Sequence, residues 1–275
     1  MISRFDKAAW LVVLSLAAVT CAWAQWNIQT VDGDKIAGPF CKVLSDSTGT
    51  PNIFYAQGSG SGGQNPIKHA QWTGSGWHFE QVTGNGPDLL GSNIAACMDK
   101  RGGWHLSNGF PGGYTWNINY SWSAAGVWRD TTLNTGNQVN SVAIAADTGC
   151  FPHIVYQANG LLFHLWQVKV APPTWSMDTI DIGSNLRRPA MVIDSLNHIY
   201  VAYYDAGDLK MAYFDGNKWG THIVDMQGGN VGDYCDLKLN SSGNVCISYY
   251  DATNGALKYA VGTKSSYLGP KTLSK

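Results

Sequence analysis

The sequence predicts an all-β fold: a five-bladed β-propeller with four antiparallel strands per blade, closed by the N-terminal strand. Three observations carry this expectation. Trp26, Trp77, Trp128, Trp175 and Trp219 recur at near-regular intervals, each followed five positions later by an aliphatic residue (Val31, Val82, Leu133, Ile180, Val224). Turn-forming clusters separate short runs rich in β-branched and aromatic residues, the pattern of antiparallel strands. No segment beyond residue 24 carries a helical apolar period. A repeat of this length built from four short strands is the blade of a propeller.

The elements follow in chain order. Arg4 and Lys7 precede the apolar run 8–19, and Ala22-Trp23-Ala24 offers a small-x-small processing site. Residues 1–24 therefore read as a secretory signal peptide whose apolar core is too short to span a bilayer. Thr20 is larger than the residue that normally precedes a lipidated cysteine, so cleavage after Ala24 is preferred to an anchor on Cys21. The mature chain is expected to be secreted or periplasmic, with no membrane insertion. The propeller is assigned to residues 25–262 and a tail to 263–275.

Residues 26–32 form an orphan fourth strand, donated to the last blade to cover its open edge. The first strands of the first three blades fall at 40–45, 94–98 and 142–146. The last two units are the clearest: 190–194, 199–204 and 209–213 in one, 236–240, 245–250 and 256–260 in the next. Residues 267–273 are a weaker candidate for the closing strand because they lack the Trp-x4-aliphatic pattern.

Composition narrows the function. Charged residues make up 13% of the chain, about half the usual share of roughly 25%. Formal net charge is -1 and no basic run exists, so nucleic acid and anionic membrane are poor partners. The mature part holds Cys41, Cys97, Cys150, Cys235 and Cys246, an odd number without paired spacing, which argues against a disulfide framework or a zinc site. Cys97, in a small apolar run, reads as a buried inert thiol. Cys41 and Cys235 hold equivalent places in the repeat, and equivalent side chains point the same way round a ring, so no bridge is expected. Neither metal-ligand histidine spacing, a Gly-x-Ser-x-Gly elbow nor a phosphate-binding loop occurs, so no metal, cofactor or nucleophilic motif is predicted.

The last two units carry Asp/Asn-x-x-Gly/Asn-x-x-x-Ile/Val-x-Tyr-Tyr-Asp at 194–205 and 240–251, followed by Leu209-Lys210 and Leu257-Lys258. In these motifs the chain resembles secreted bacterial β-propeller repeat proteins. Five-bladed members of this size include carbohydrate-binding lectins and some glycoside-cleaving enzymes, so the resemblance implies a lectin-like, glycan-binding protein. The Ser-x-Asp-x-Gly-x-Thr-Trp box of sialidases is absent.

Candidate binding residues fall in two groups. Blade two lengthens its second-to-third connection and places Phe110, Tyr114 and Trp116 beside Asn108; aromatic faces next to an amide suit the apolar faces and polar edges of a sugar. In a four-stranded blade the second-to-third and fourth-to-first connections share one rim. That puts Asn108, Asp205 and Asp251, read as second-strand ends with Gln57 and Gln157, near Asp88, Asn93, Asn140, Arg187, Arg188 and Asp233. The ligand set is therefore Asn108, Phe110, Tyr114, Trp116, Asn140, Arg188, Asp205, Asp233 and Asp251. Competing readings are that Asp205 and Asp251 cap their own turns and that the aromatic loop covers its own blade. The periodic tryptophans read as wedges between blades rather than sugar contacts.

The expected function is non-catalytic glycan or polysaccharide binding. The alternative is a polysaccharide-cleaving hydrolase or lyase using two of Asp88, Asp205, Asp233 and Asp251, which requires carboxylates roughly 5–9.5 Å apart. A protein-interaction scaffold is the third reading.

Overall fold

The computed structural model describes residues 27–34, 37–58, 65–84, 94–112, 115–124, 126–136, 139, 141–227 and 229–262. The chain is all-β, with five blades of consecutive antiparallel strands in a ring. Blade one is β1 (Ala37–Ser45), β2 (Pro51–Gln57), β3 (Ile67–Trp72) and β4 (Trp77–Thr83). Blade two is β5 (Ile94–Met98), β6 (Trp104–Gly112), β7 (Thr115–Ala124) and β8 (Val127–Asn134). Blade three is β9 (Ser141–Ala146), β10 (Pro152–Ala158), β11 (Leu161–Val170) and β12 (Pro173–Ile182). Blade four is β13 (Arg187–Ile193), β14 (Ile199–Asp205), β15 (Asp208–Phe214) and β16 (Trp219–Asp225). Blade five has β17 (Val231–Leu239), β18 (Val245–Asp251) and β19 (Ala256–Gly262) among the described residues.

One turn is repeated in all five blades. Asp46, Asp99, Asp147, Asp194 and Asn240 end the first strands, and each side-chain oxygen accepts the backbone N–H four residues on. Three residues on, the chain takes the left-handed conformation, at Gly49, Gly102, Cys150, Asn197 and Gly243, with φ between 64° and 84°. Glycine or asparagine suits that position because the side chain otherwise crowds the backbone. The sequence motif Asp/Asn-x-x-Gly/Asn is this turn.

β18 and β19 of blade five keep exposed positions, whereas β14 of blade four is covered on both faces and buried at every position. That explains runs such as Ile199–Asp205, which are apolar and aromatic rather than alternating. Four seams carry an apolar cluster of described residues. Phe54 and Ile67 meet Ile94 and Leu106 between blades one and two, and Ile118 and Tyr120 meet Ile154 and Tyr156 between two and three. Val155 and Leu162 meet Tyr203 and Ala212 at the next seam, and Tyr200 and Met211 meet Leu237 and Tyr249 at the one after.

The fourth-strand tryptophans reach back to the preceding blade. Trp128 donates its indole N–H to Glu80 at 2.7 Å and sets its ring edge-on to Phe54 and His69. Trp219 donates to Asp178 at 3.1 Å and meets His164 edge-on, and Trp175 packs on Tyr120.

A polar latch recurs beside these wedges. The carboxylate that ends one fourth strand accepts a tyrosine O–H and faces a lysine on the next blade: Asp181 with Tyr203 and Lys210, Asp225 with Tyr249 and Lys258. Blade two has a neutral version, Asn119 donating to Thr83 at 3.4 Å.

Asp32, before the first strand, shows a third copy of the latch. Asp32 accepts the Tyr55 O–H at 2.7 Å with the Lys68 ammonium 3.9 Å away, the place a fourth-strand end from blade five would take. Residues 27–31, described by themselves, form no strand, and Trp26 lies outside the described residues. The expected signal peptide, 1–24, and the tail, 263–275, also lie outside them.

Candidate functional site: the mouth of the central channel

The inner strands β1, β5, β9, β13 and β17 surround a central channel of about 720 Å³. Ala95, Ala96, Ala143 and Ala190 keep its walls set back, while Lys42, Arg187, Arg188 and Lys238 bring positive charge to it. The channel concentrates cations in a chain of formal net charge -1, and low-dielectric walls strengthen their field inside the opening.

At its mouth, β13 and β17 each carry an irregularity, between Arg187 and Ala190 and between Asp233 and Asp236. Arg188 and Tyr234 take left-handed φ angles of 52° and 53° there. Such backbone in non-glycine residues costs about 1–3 kcal/mol and persists only where surrounding contacts hold it. The contacts are present. The Arg188 N–H donates to Ser141 Oγ at 3.1 Å, and the Arg188 carbonyl accepts the Cys235 thiol at 3.3 Å. These tie blades three, four and five together at one point.

The turned residues converge on one carboxylate. Asp233 lies 3.1 Å from an Arg187 terminal nitrogen and 3.0 Å from Arg188 Nε. The Arg187 guanidinium sits 4.0 Å above the Tyr204 ring and that of Arg188 3.8 Å above Tyr234. Each cation is thus held by an anion and an aromatic face, which fixes its plane and leaves further N–H donors for a ligand. Tyr234 is 63% exposed, and burial raises the Cys235 thiol to about 12, so it is no nucleophile at neutral pH. Among the described residues Cys41, Cys97, Cys150, Cys235 and Cys246 are all free.

The structure brings Arg188 and Asp233 together and places the other expected residues elsewhere. Asp205 is buried, accepting the Asn185 N–H at 3.1 Å and lying 2.7 Å from Lys210 Nζ. Asp251, also buried, caps its own turn through the Asn254 N–H at 3.0 Å and the Asn254 amide at 2.9 Å. Those bonds, with Lys258 nearby, hold its carboxyl below the ordinary range. Both are committed to holding connections rather than open to solvent.

Asn108 corrects the expected register. It is 1% exposed and faces Asn119 across β6 and β7, the counterpart of the Tyr203–Lys210 pair and not of Asp205. The connection expected to be a long loop is instead a ladder continuing through Phe110–Asn117 to Gly112–Thr115. Aromatic residues favour such extended pairing. Phe110 and Trp116 lie in these strands, their side chains outside the description. Tyr114, Asn140, Asp88 and Asn93 lie outside the described residues.

Tyr234 and Lys42 belong to the mouth and channel but were not among the expected ligand residues. The doublet Arg187-Arg188, in a chain so poor in charge, was the available signal; Tyr234 left none, because its exposure depends on a left-handed backbone.

No family model matches the sequence, and no curated protein matches it. Solved structures match the fold. The SapL1 lectin in complex with alpha methyl fucoside aligns with a TM-score of 0.56 at 13% identity, over 82% of this chain and 79% of that one. The NanB sialidase from Streptococcus pneumoniae aligns at 0.56 and 11% identity, over 85% of this chain and 60% of that one. The α-L-arabinofuranosidase Arb93A from Fusarium graminearum aligns at 0.52 and 11% identity, over 80% and 79%. This chain therefore spans less than two thirds of the sialidase. At such identities the likeness is one of fold alone; the class, a five-bladed β-propeller, is counted from this chain's own five sheets.

Proposed function

We propose that this protein is a carbohydrate-binding propeller that holds a glycan at the mouth of its central channel without cleaving it. The carrying observation is the Arg188–Tyr234 stack with Asp233 beside it. An exposed ring offers an apolar face to sugar C–H groups, and guanidinium and carboxylate offer hydrogen bonds to hydroxyls. The resemblance to lectin-like repeat proteins and the fucoside-bound SapL1 fold support the same reading. Export through the leader at 1–24 would bring the site to extracellular glycans.

The acids favour binding over cleavage. Of the four rim carboxylates considered for catalysis, Asp205, Asp233 and Asp251 each lie within 4 Å of a cationic side chain, and Asp88 is outside the described residues. Each of these three is thereby engaged by a protein cation rather than presented to a substrate. The test is a glycan array followed by calorimetry with Tyr234→Ala. Binding lost at least about tenfold in the variant supports the proposal. Absence of binding to every sugar class overturns it. So does release of reducing ends that disappears in Asp233→Asn.

A further inference from the structure

We infer that the ligand at this mouth is an acidic saccharide, one bearing a carboxylate or sulfate group. The inference rests on the glycan-binding reading and adds the charge of the sugar.

Its basis is the wall of the channel below the mouth. Lys42 enters it from β1, Arg187 and Arg188 from β13 and Lys238 from β17, against Asp236. Asp233 is already shared by both guanidiniums. Five of these residues line a cavity of about 720 Å³, and counting Asp233 behind the arginines leaves two more positive than negative charges there. The whole chain sums to -1, so the excess is local. Excess cations at an opening repel one another and destabilise the empty site; an anion relieves that repulsion, and a neutral sugar does not.

The arginines are also prepared for an anion. Asp233 and the rings of Tyr204 and Tyr234 fix the two guanidinium planes before any ligand arrives. Planar, forked donors match carboxylate and sulfate oxygens better than they match hydroxyls. Asp233 acts here as a positioning residue.

The experiment titrates the intact mature protein with four probes at two salt concentrations: tetragalacturonate, its full methyl ester, a sulfated tetrasaccharide and neutral cellotetraose. Tetragalacturonate or the sulfated probe binding at least about tenfold tighter than the ester and cellotetraose, with affinity falling as salt rises, supports the inference. Which of the two binds more tightly separates carboxylate from sulfate recognition. Lys42→Gln, which leaves the Asp233 ion pairs in place, should weaken acidic-probe binding several-fold with an unchanged melting temperature. Arg188→Gln should weaken it further. Equal affinity for ester and acid overturns the acidic ligand while leaving glycan binding intact; no binding of any probe, with none on the wider glycan array, overturns both.

Discussion

Asp181 closes blade three and Tyr203 lies on the second strand of blade four, yet the phenol donates to that carboxylate at 2.8 Å. Burial, first, and the Asp181 hydrogen bond, second, push the Tyr203 phenol far above its ordinary value. The phenol therefore keeps its proton, and the bond its donor, well into the alkaline range. Lys210, 3.3 Å from the same carboxylate and 2.7 Å from Asp205, is held in its charged form by both despite partial burial.

Tyr203→Phe removes the donor and leaves the Asp181 carboxylate with Lys210 and the Ile182 N–H. A hydrogen bond to a charged group contributes about 1.5–3 kcal/mol, less where solvent reaches the carboxylate. Urea unfolding should show a loss of about 1–2 kcal/mol with an unchanged slope, and Tyr249→Phe a similar one. A loss below about 0.3 kcal/mol in both would mean the latches only mark the seams.

Cys150 is the non-glycine residue with the largest positive φ among the described residues, 68°, where three sister turns have Gly49, Gly102 and Gly243. Cys150→Gly relieves about 1–2 kcal/mol of left-handed crowding and gives back about 0.4–1 kcal/mol through a freer unfolded chain. A net stabilisation of about 0.5–1 kcal/mol is expected by thermal or urea unfolding. Destabilisation would show that the Cys150 side chain contributes packing its backbone angle conceals.

Acid should weaken the fold before its carboxylates titrate. His153 Nδ1 and His164 Nε2 are 2.8 Å apart on neighbouring strands, with Asp147 and Asp178 at their outer ends. Burial, then the His164 charge, lowers the His153 imidazole to about 4, and burial also lowers His69 and His105. A histidine whose folded value lies below the unfolded one, about 6.5, takes up its proton first in the unfolded chain. Stability is thus fully present above about pH 6.5 and falls towards pH 4, by up to about 1.4 kcal/mol per pH unit for each such histidine. Unfolding free energies measured at pH 7, 6 and 5 should decline, and His153→Asn should decline less steeply. A flat wild-type profile would contradict this account.

Asp233→Ala separates binding from folding. Its two guanidinium partners are 35% and 45% exposed, so losing the pairs should cost at most about 1 kcal/mol of stability. Freed from their shared anchor, the guanidiniums lose their fixed planes, and glycan affinity should fall at least about tenfold. A variant that unfolds readily but binds normally when folded would assign Asp233 to architecture.

The repeat, the strands and the five-fold turn were legible because each rests on local chemistry: a tryptophan period, apolar runs, and an Asp or Asn three residues before a left-handed position. The candidate site was legible only in part. Arg188 and Asp233 could be placed on one rim from strand order, and they meet. Asp205 and Asp251 shared that rim by the same logic, but Lys210 and Asn254 draw them inward, and those contacts depend on side-chain reach rather than on spacing. Asn108 was misaligned because the blade-two hairpin is longer than its sisters, which counting from aligned motifs cannot register. Tyr234 was missed because a strand pattern would place it without regard to the bulge that turns it outward.

The latches also make the joints of the molecule chemically unequal. Those centred on Asp32, Asp181 and Asp225 pair full charges, the Thr83–Asn119 joint is uncharged, and Tyr156 of blade three turns its phenol to Met177 instead. Dissolved ions screen partly exposed charge pairs and leave apolar contact untouched. Raising ionic strength therefore loosens three hinges of the wheel and spares the other two, so brine and warm dilute buffer would prise it apart at different places.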